Sequence, residues 1–140
     1  MRNRLARLIV IAAFTTLAPA VFAHHGFDTE YDAKKKVKLT GVVTQVAWTN
    51  PHMRVYVDVT MPDGKVVNWN LELTSPNRIR RQGWGPSDLL PGEKVTFEGY
   101  GGKVVENRGS LLSITKVGED KPLFEEGGPE AEGQTIPGAI

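Results

Sequence analysis

Cysteine is absent from the 140-residue sequence, and histidine occurs only three times. The lack of cysteine excludes disulfides, thiolate zinc sites, iron–sulfur clusters and cysteine nucleophiles. Long apolar runs are missing too, because the longest unbroken one near the N-terminus covers residues 8–14, whereas a membrane-spanning helix needs about 20 residues. With 15 glycines and 9 prolines, the composition favours turns and short strands over long helices.

Neither sign of charge dominates the chain. It has 17 Lys and Arg against 16 Asp and Glu, and three of the arginines lie within the first seven residues. Without those three, acidic residues are in slight excess. Because nucleic-acid-binding domains are usually strongly basic, the composition predicts no nucleic-acid partner.

The first 23 residues have the organisation of a secretory signal peptide. A positive start is followed by the apolar run and then by the small residue Ala23, which is the usual order of such leaders. We expect cleavage after Ala23, so that His24 becomes the first residue. Cleavage after Ala20 is the alternative and would leave Val21 first. The sequence therefore predicts a periplasmic protein that keeps no stable membrane anchor after processing, and it leaves the oligomeric state open.

The remainder divides into a predicted domain, residues 24–117, and a tail, residues 118–140. The tail carries six acidic residues against one lysine, with five glycines and three prolines. Such a segment buries too little apolar surface to offset the entropy lost on ordering. We therefore expect a disordered acidic tail, in which Leu123 and Phe124 could contact the domain.

Within the domain, alternation of apolar and polar residues predicts five strands and one short helix. The helix follows the third strand, with Ser75 as a capping residue and Gly83 at its end. In the first strand the apolar phase changes at Gly41, which predicts a β-bulge there, with Val42 and Trp48 on one face after it. The predicted strands cover residues 37–48, 52–60, 65–73, 93–100 and 111–117.

A short helix between the third and fourth of five strands is typical of the OB-fold, a small and partly open β-barrel. We therefore predict an all-β, OB-like five-stranded barrel. An ordinary small β-sandwich is the alternative.

A set of short strings along residues 24–117 adds to this interpretation. Together they resemble a family of small exported bacterial proteins that is classed as a domain of unknown function. The resemblance implies a signal peptide and a periplasmic location, and it brings no activity, substrate or catalytic residue. The strings include His24-His25-Gly26-Phe27, Leu39-Thr40-Gly41, Trp48-Thr49-Asn50-Pro51-His52, Asn68-Trp69, Ser75-Pro76-Asn77 and Gly83-Trp84.

The three histidines are the first candidates for chemistry. If cleavage follows Ala23, His24 offers a free α-amine as well as an imidazole, and an amine with a pKa of about 8 is accessible near neutral pH. A third nitrogen from His25 or His52 completes a tetragonal nitrogen set, which suits Cu(II). The sequence thus predicts a copper-type metal site at these three residues. Alternatively, His24 and His25 are solvated and His52 only shapes the turn beside Pro51.

Distance along the chain is the difficulty with such a site. The predicted first strand spans roughly 36 Å, and the 13 residues before it can extend about 43 Å. His52 lies at the far end of that strand, so the N-terminal segment has to run back beside it. Phe27 and Tyr31 could anchor this path against the barrel.

The outward side of the second and third strands is the second candidate site. In OB-folds this face commonly binds ligands, and aromatic and amide groups suit a sugar or a peptide. The alternative is an ordinary solvated strand face. The residues concerned are Tyr56, Asp58, Asn68, Asn70 and Glu72.

No pattern in the sequence indicates catalysis. No Ser/His/Asp spacing stands out, and no helix begins after the glycines near residue 100 to cradle a phosphate. Lys34–Lys36 and the three arginines at 78, 80 and 81 are expected to be solvated surface. We therefore expect a non-catalytic binding protein, with copper as its one candidate cofactor and a metal ion or envelope ligand as its partner.

Overall fold

The computed structural model describes residues 27–126 and has the predicted all-β, OB-like architecture. Within these residues the sheet order is β3-β2-β1-β4-β5-β6, and a parallel pairing of β3 with β5 closes it into a barrel. The elements are β1 Tyr31–Ala47, β2 Arg54–Thr60, β3 Val66–Glu72, α1 Pro76–Arg81, β4 Lys94–Gly102, β5 Arg108–Lys116 and β6 Phe124–Glu125. A helical turn over residues 27–30 precedes β1.

β1 serves both sides of the barrel and is longer than predicted. It pairs with β4 at Tyr31 and over Lys36 to Val42, and with β2 from Val42 onward. The strand begins at Tyr31 rather than at the predicted residue 37. The prediction started too late because residues 32–36, which include three lysines, do not show the apolar alternation of a strand. This length matters for the site, since the first residue of β1 reaches the seam where the barrel closes.

The predicted bulge is displaced from Gly41. The register of β1 against β2 shifts between Val43 and Gln45, and Val43 is buried while Val42 is 41% exposed. The prediction that Val42 and Trp48 share one face is therefore wrong, because Trp48 packs partly against the core. Gly41 has a different role, because a Cβ atom at this position would overlap the carbonyl oxygen of Asp58.

The core is formed by alternating inward residues of β2, β3, β4 and β5. Trp69 packs on Phe97 with ring centroids 5.9 Å apart, and Trp84 is 3% exposed. Trp48 is partly buried and meets Trp84 in a T-shaped contact at 5.6 Å. Trp69 and Trp84 are therefore both core residues.

α1 is held by its backbone and by one buried side chain. The carbonyl of Ser75 accepts hydrogen bonds from the amides of Arg78 and Ile79, and Ile79 is fully buried. The Ser75 side chain makes no capping hydrogen bond, so the prediction of a side-chain cap is wrong. Gly83 has a φ of 88°, the left-handed conformation expected after a helix.

Part of the predicted tail belongs to the barrel. Phe124 is 1% exposed and pairs with Ile114 of β5 in β6, and Leu123 packs partly against the core. The predicted boundary at residue 117 therefore omits one short strand, which forms because Phe124 has an apolar side chain to bury. Residues 127–140 and the predicted leader lie outside the described residues.

Candidate functional site

A cleft of about 630 Å³ lies at the seam where β3 meets β5. The two strands pair at three positions, from Asn70 with Arg108 to Glu72 with Ser110. The cleft extends beyond the end of this pairing and combines aromatic, charged and hydroxyl side chains. It is lined by Phe27, Glu30, Tyr31, His52, Arg54, Glu72, Leu73, Thr74, Tyr100, Ser110, Leu111, Leu112 and Glu126.

The Glu72 carboxylate is the centre of the polar part of the cleft. Its Oε2 atom accepts hydrogen bonds from Arg54 Nη2 at 2.6 Å and from the Tyr31 hydroxyl at 2.9 Å, and Arg108 Nη2 lies 4.0 Å away. Arg54 and Glu72 face each other because their backbones are directly paired across β2 and β3. The other Arg54 amino group donates to Asn70 Oδ1 at 3.0 Å.

Tyr31 is a neutral donor in this cluster. Burial, together with the adjacent Glu72 carboxylate, raises the pKa of Tyr31 to about 12. The phenol therefore stays protonated at physiological pH and keeps its hydrogen bond to the carboxylate. Tyr31 and Glu72 are 41 residues apart in sequence, so this bond ties the first residue of β1 to the last residue of β3.

The helical turn before β1 closes one side of the cleft. The ring of Phe27 lies 5.6 Å from that of Tyr31 and meets Tyr100 edge to face at 5.7 Å. Glu30 forms an ion pair with Arg108 at 3.1 Å. The backbone amide of Lys103 donates to the Glu30 carbonyl at 3.0 Å. The turn is thus fixed to the barrel by aromatic, ionic and backbone contacts.

His52 also lines the cleft, just before β2. Its Nδ1 atom is 3.0 Å from the carbonyl oxygen of Leu73 and 3.7 Å from Glu72 Oε1. Since a carbonyl can only accept, Nδ1 carries the proton in this hydrogen bond. In the neutral ring, Nε2 is then left with a free lone pair. The side chain is 51% exposed, so Nε2 is accessible to a ligand.

The five residues predicted on the outward face do lie on one face of β2 and β3. Backbone pairing sets Tyr56 opposite Asn70 and Asp58 opposite Asn68. The Asn68 amide donates to Asp58 Oδ1 at 2.7 Å and to the Thr44 hydroxyl at 3.1 Å. Glu72, the fifth, is engaged in the cleft cluster. The predicted face is therefore divided into an Asn68–Asp58 part and a Glu72 part.

The histidines predicted as metal ligands are only partly visible. His52 lies in the cleft, whereas His24 and His25 fall outside the described residues. Among residues 27–126, no group of three or more His, Asp or Glu side chains is arranged to hold a metal ion. Any metal at His52 needs further ligands from beyond this range.

Residues 12–111 match the model of a family of unknown function, DUF6152. The chain belongs to this family. No curated protein is significantly similar to it. Among solved structures, the chain is similar to the mitochondrial single-stranded DNA-binding protein Rim1 of S. cerevisiae in two crystal forms. Form 1 has 12% identity and a TM-score of 0.47, and the match covers 62% of this chain and 97% of Rim1. Form 2 has 11% identity and a TM-score of 0.44, and the match covers 59% of this chain and 94% of Rim1.

These comparisons correct one prediction. The absence of a nucleic-acid partner was predicted from net charge, and it is wrong as an exclusion, because the similar solved structures are single-stranded DNA-binding proteins. At 11–12% identity the likeness concerns the fold alone.

Sequence reasoning missed most of the cleft cluster. Arg54 alternates in phase with Tyr56 and Asp58 along β2, so its outward direction was readable. Tyr31 and Arg108 left no comparable signal, because they meet Glu72 only through the closure of the barrel.

No helix within residues 27–126 is long and apolar enough to cross a bilayer.

Proposed function

We propose that this DUF6152 protein is an exported, periplasmic, non-catalytic binding protein that holds one Cu(II) ion at the cleft. The ligands are His52 and the two histidines of the processed N-terminus, His24 and His25. The observation that supports this proposal most directly is that Phe27 and His52 line the same cleft. The segment that precedes Phe27 is therefore attached to the cleft that His52 also lines.

Closure of the barrel removes the difficulty of distance. Along β1 the N-terminal segment and His52 are far apart. The Tyr31–Glu72 hydrogen bond, however, brings the start of β1 to the end of β3, where the Leu73 carbonyl is bonded to His52. His25 precedes Phe27 by two residues, and two extended residues span about 7 Å. This covalent limit supports a role for His25 at the cleft, because no long return path is needed.

The hydrogen bond of His52 suits a metal ligand. Histidines that bind metals usually donate their second ring N–H to a carbonyl or carboxylate, which fixes the tautomer and the ring orientation. Here the Leu73 carbonyl has that role, and Nε2 is the free donor atom. Three imidazoles and the α-amine of His24 form a four-nitrogen set that suits Cu(II) in tetragonal geometry.

Isothermal titration with Cu(II) tests the proposal. Processed protein beginning at His24 should bind one ion, and binding should be at least about tenfold weaker when one residue is added before His24 or when His52 is replaced by Ala. His52→Asn is the matched control for folding, because its side-chain amide can still donate to the Leu73 carbonyl while Nε2 is lost. It should weaken copper binding as much as His52→Ala does.

Three results would contradict this assignment. Equal and weak binding by the processed and extended forms removes the role of the α-amine. A loss with His25→Ala but none with His52→Asn identifies a local N-terminal chelate that does not involve the cleft. A processed chain that begins at Val21, measured by intact mass of exported protein, also removes the proposed ligand set.

A carbohydrate- or protein-binding module is the second candidate function. The supporting observation is that the Asn68 amide is already oriented by Asp58 and Thr44, beside the partly exposed Tyr56. Fixed amide groups beside an aromatic ring suit hydroxyl-rich or peptide ligands. Binding to a glycan or peptide array that is lost with Tyr56→Ala, and unaffected by His52→Asn, would favour this function.

A further inference from the structure

The exposed side of α1 carries three arginines with no acidic partner among residues 27–126. Arg80 and Arg81 are exposed and Arg78 is half-buried. None of them takes part in an ion pair within the described range, and Arg81 Nε donates instead to the carbonyl of Asn77 at 3.4 Å. The helix itself contains no acidic residue. These positive charges are therefore not neutralised by the part of the chain that surrounds them.

This positive surface is a local feature and does not reflect an overall excess of basic residues. Three of the 17 basic residues and two of the 16 acidic residues lie outside residues 27–126, which leaves fourteen of each within them. Three uncompensated arginines within four positions thus stand out against a neutral background. Basic residues in the last turn of a helix interact favourably with its dipole, but that effect does not require three of them.

One of the three guanidinium groups is held in place. Arg80 lies over the ring of Trp48, 5.3 Å from its centroid, and Trp48 packs in turn against the buried Trp84. Stacking on an aromatic ring is favourable for arginine. It also restricts the side chain, so less conformational entropy is lost when Arg80 meets an anion. We call Arg78, Arg80, Arg81 and Trp48 the arginine face.

We propose that the arginine face docks this protein on an anionic phospholipid surface. Guanidinium groups pair with phosphate oxygens through two parallel hydrogen bonds, and clusters of basic side chains are attracted to negatively charged bilayers. The face lacks a free ring for stacking, because Arg80 covers Trp48, whereas single-stranded nucleic acids are bound mainly by base stacking on aromatic side chains. Phosphates at a lipid surface therefore fit it better than bases.

The position of the face gives the docking a direction. α1 begins two residues after Thr74, which lines the cleft. Docking through α1 therefore holds the edge of the cleft close to the lipid headgroups. The inference is independent of copper, since none of the four residues is a proposed ligand.

Vesicle co-sedimentation tests the proposal. Full-length processed protein should bind vesicles of equimolar phosphatidylglycerol and phosphatidylcholine, and it should bind vesicles of phosphatidylcholine alone at least about tenfold more weakly. Because each surface arginine contributes roughly fivefold to such binding, the triple variant Arg78→Gln, Arg80→Gln, Arg81→Gln should lose about 100-fold. Added salt should weaken the binding of the unchanged protein.

The matched control removes the same charge elsewhere. A second triple variant, Lys34→Gln, Lys35→Gln, Lys36→Gln, neutralises three lysines near the start of β1, whereas Trp48 of the arginine face follows its end. This variant should reduce vesicle binding by no more than about threefold. If the arginine triple variant does not fold, Arg80→Gln alone should lose about fivefold.

Three outcomes overturn the proposal. Equal losses from the two triple variants mean that binding follows overall charge and not this face. Full binding by the arginine variant means that another surface meets the lipid. An oligothymidine strand that displaces the protein from vesicles, and whose own binding is lost in the arginine variant, identifies nucleic acid as the occupant instead.

Discussion

The two groups of arginines in this protein differ in what surrounds them. On the cleft side, Arg54 and Arg108 lie on β2 and β5, the two strands that pair with β3, and they form ion pairs with Glu72 and Glu30 respectively. On the α1 side, the arginine face has no carboxylate within ion-pair distance among residues 27–126. Register across a sheet brings opposite charges together, whereas a six-residue helix without acidic residues leaves its arginines available. The first group therefore builds the structure, and the second is available to a partner.

The largest expected contrast concerns the tryptophans behind the two groups. Trp69 is buried behind the cleft strand β3, and Trp69→Ala should lower the free energy of unfolding by about 3–5 kcal/mol. Trp48 supports the arginine face and is only partly buried, so Trp48→Ala should cost about 1–2 kcal/mol. Urea unfolding of both variants measures the difference. A near-neutral Trp69→Ala would mean that the inward side of β3 is assigned incorrectly.

The second contrast concerns the charges. Glu72→Gln leaves Arg54 and Arg108 without their shared carboxylate, and because these side chains are 19–33% exposed, the cost should be about 2 kcal/mol, below that of a fully buried pair. Arg80→Gln should change stability by less than about 0.5 kcal/mol. Equal effects in denaturant unfolding would show that the cleft charges are not coupled.

The third test uses the pKa of Tyr31. Because burial and Glu72 raise this pKa to about 12, the folded chain binds the phenolic proton more tightly than the unfolded chain, whose tyrosines have a pKa of about 10. The resulting stability is complete below pH 10 and is lost as the pH rises through 12. Tyr31→Phe should cost about 1.5 kcal/mol near neutral pH.

That cost should shrink between pH 10 and pH 12, because only the unchanged protein has the phenol to ionise. The lysines titrate in both proteins, so the difference between them isolates Tyr31. A pH-independent difference would mean that Tyr31 does not share its proton with Glu72 in the folded state.

The smallest expected effect is at the start of α1. Because the Ser75 side chain makes no capping bond, Ser75→Ala should cost less than about 0.5 kcal/mol, rather than the ~1 kcal/mol of a true side-chain cap. Thermal unfolding measures it. A loss of about 1 kcal/mol would instead show that the Ser75 hydroxyl accepts a hydrogen bond from a backbone amide of α1 in solution.

The parts of the fold that were predictable depend on local patterns. Val55 and Val57 alternate with polar residues along β2, and Gly64, with a φ of 84°, marks the hairpin that follows. Gly83 likewise has a positive φ and marks the end of α1. In each case the chemistry of one or two neighbours decides the conformation, and this can be read without knowledge of the rest of the chain.

The cleft was not predictable because it depends on closure. Tyr31 meets Glu72 only when β3 pairs with β5, and nothing in the residues around Tyr31 indicates that pairing. β6 was missed for a related reason, since Phe124 has a surface to cover only after β5 is in place. His52 and Glu72 were identified as candidates separately, and the structure shows that they share one cleft.

The closing seam is also the shortest ladder between the main strands. β3 pairs with β5 at three positions, while β1 pairs with β4 at eight. In a barrel with one such weak joint, local opening begins there. The hydrogen bonds from Tyr31 and Arg54 to Glu72 act on the same joint, so they work as a latch. Whatever loosens that latch exposes the amides of β3 to exchange, while the rest of the barrel stays closed.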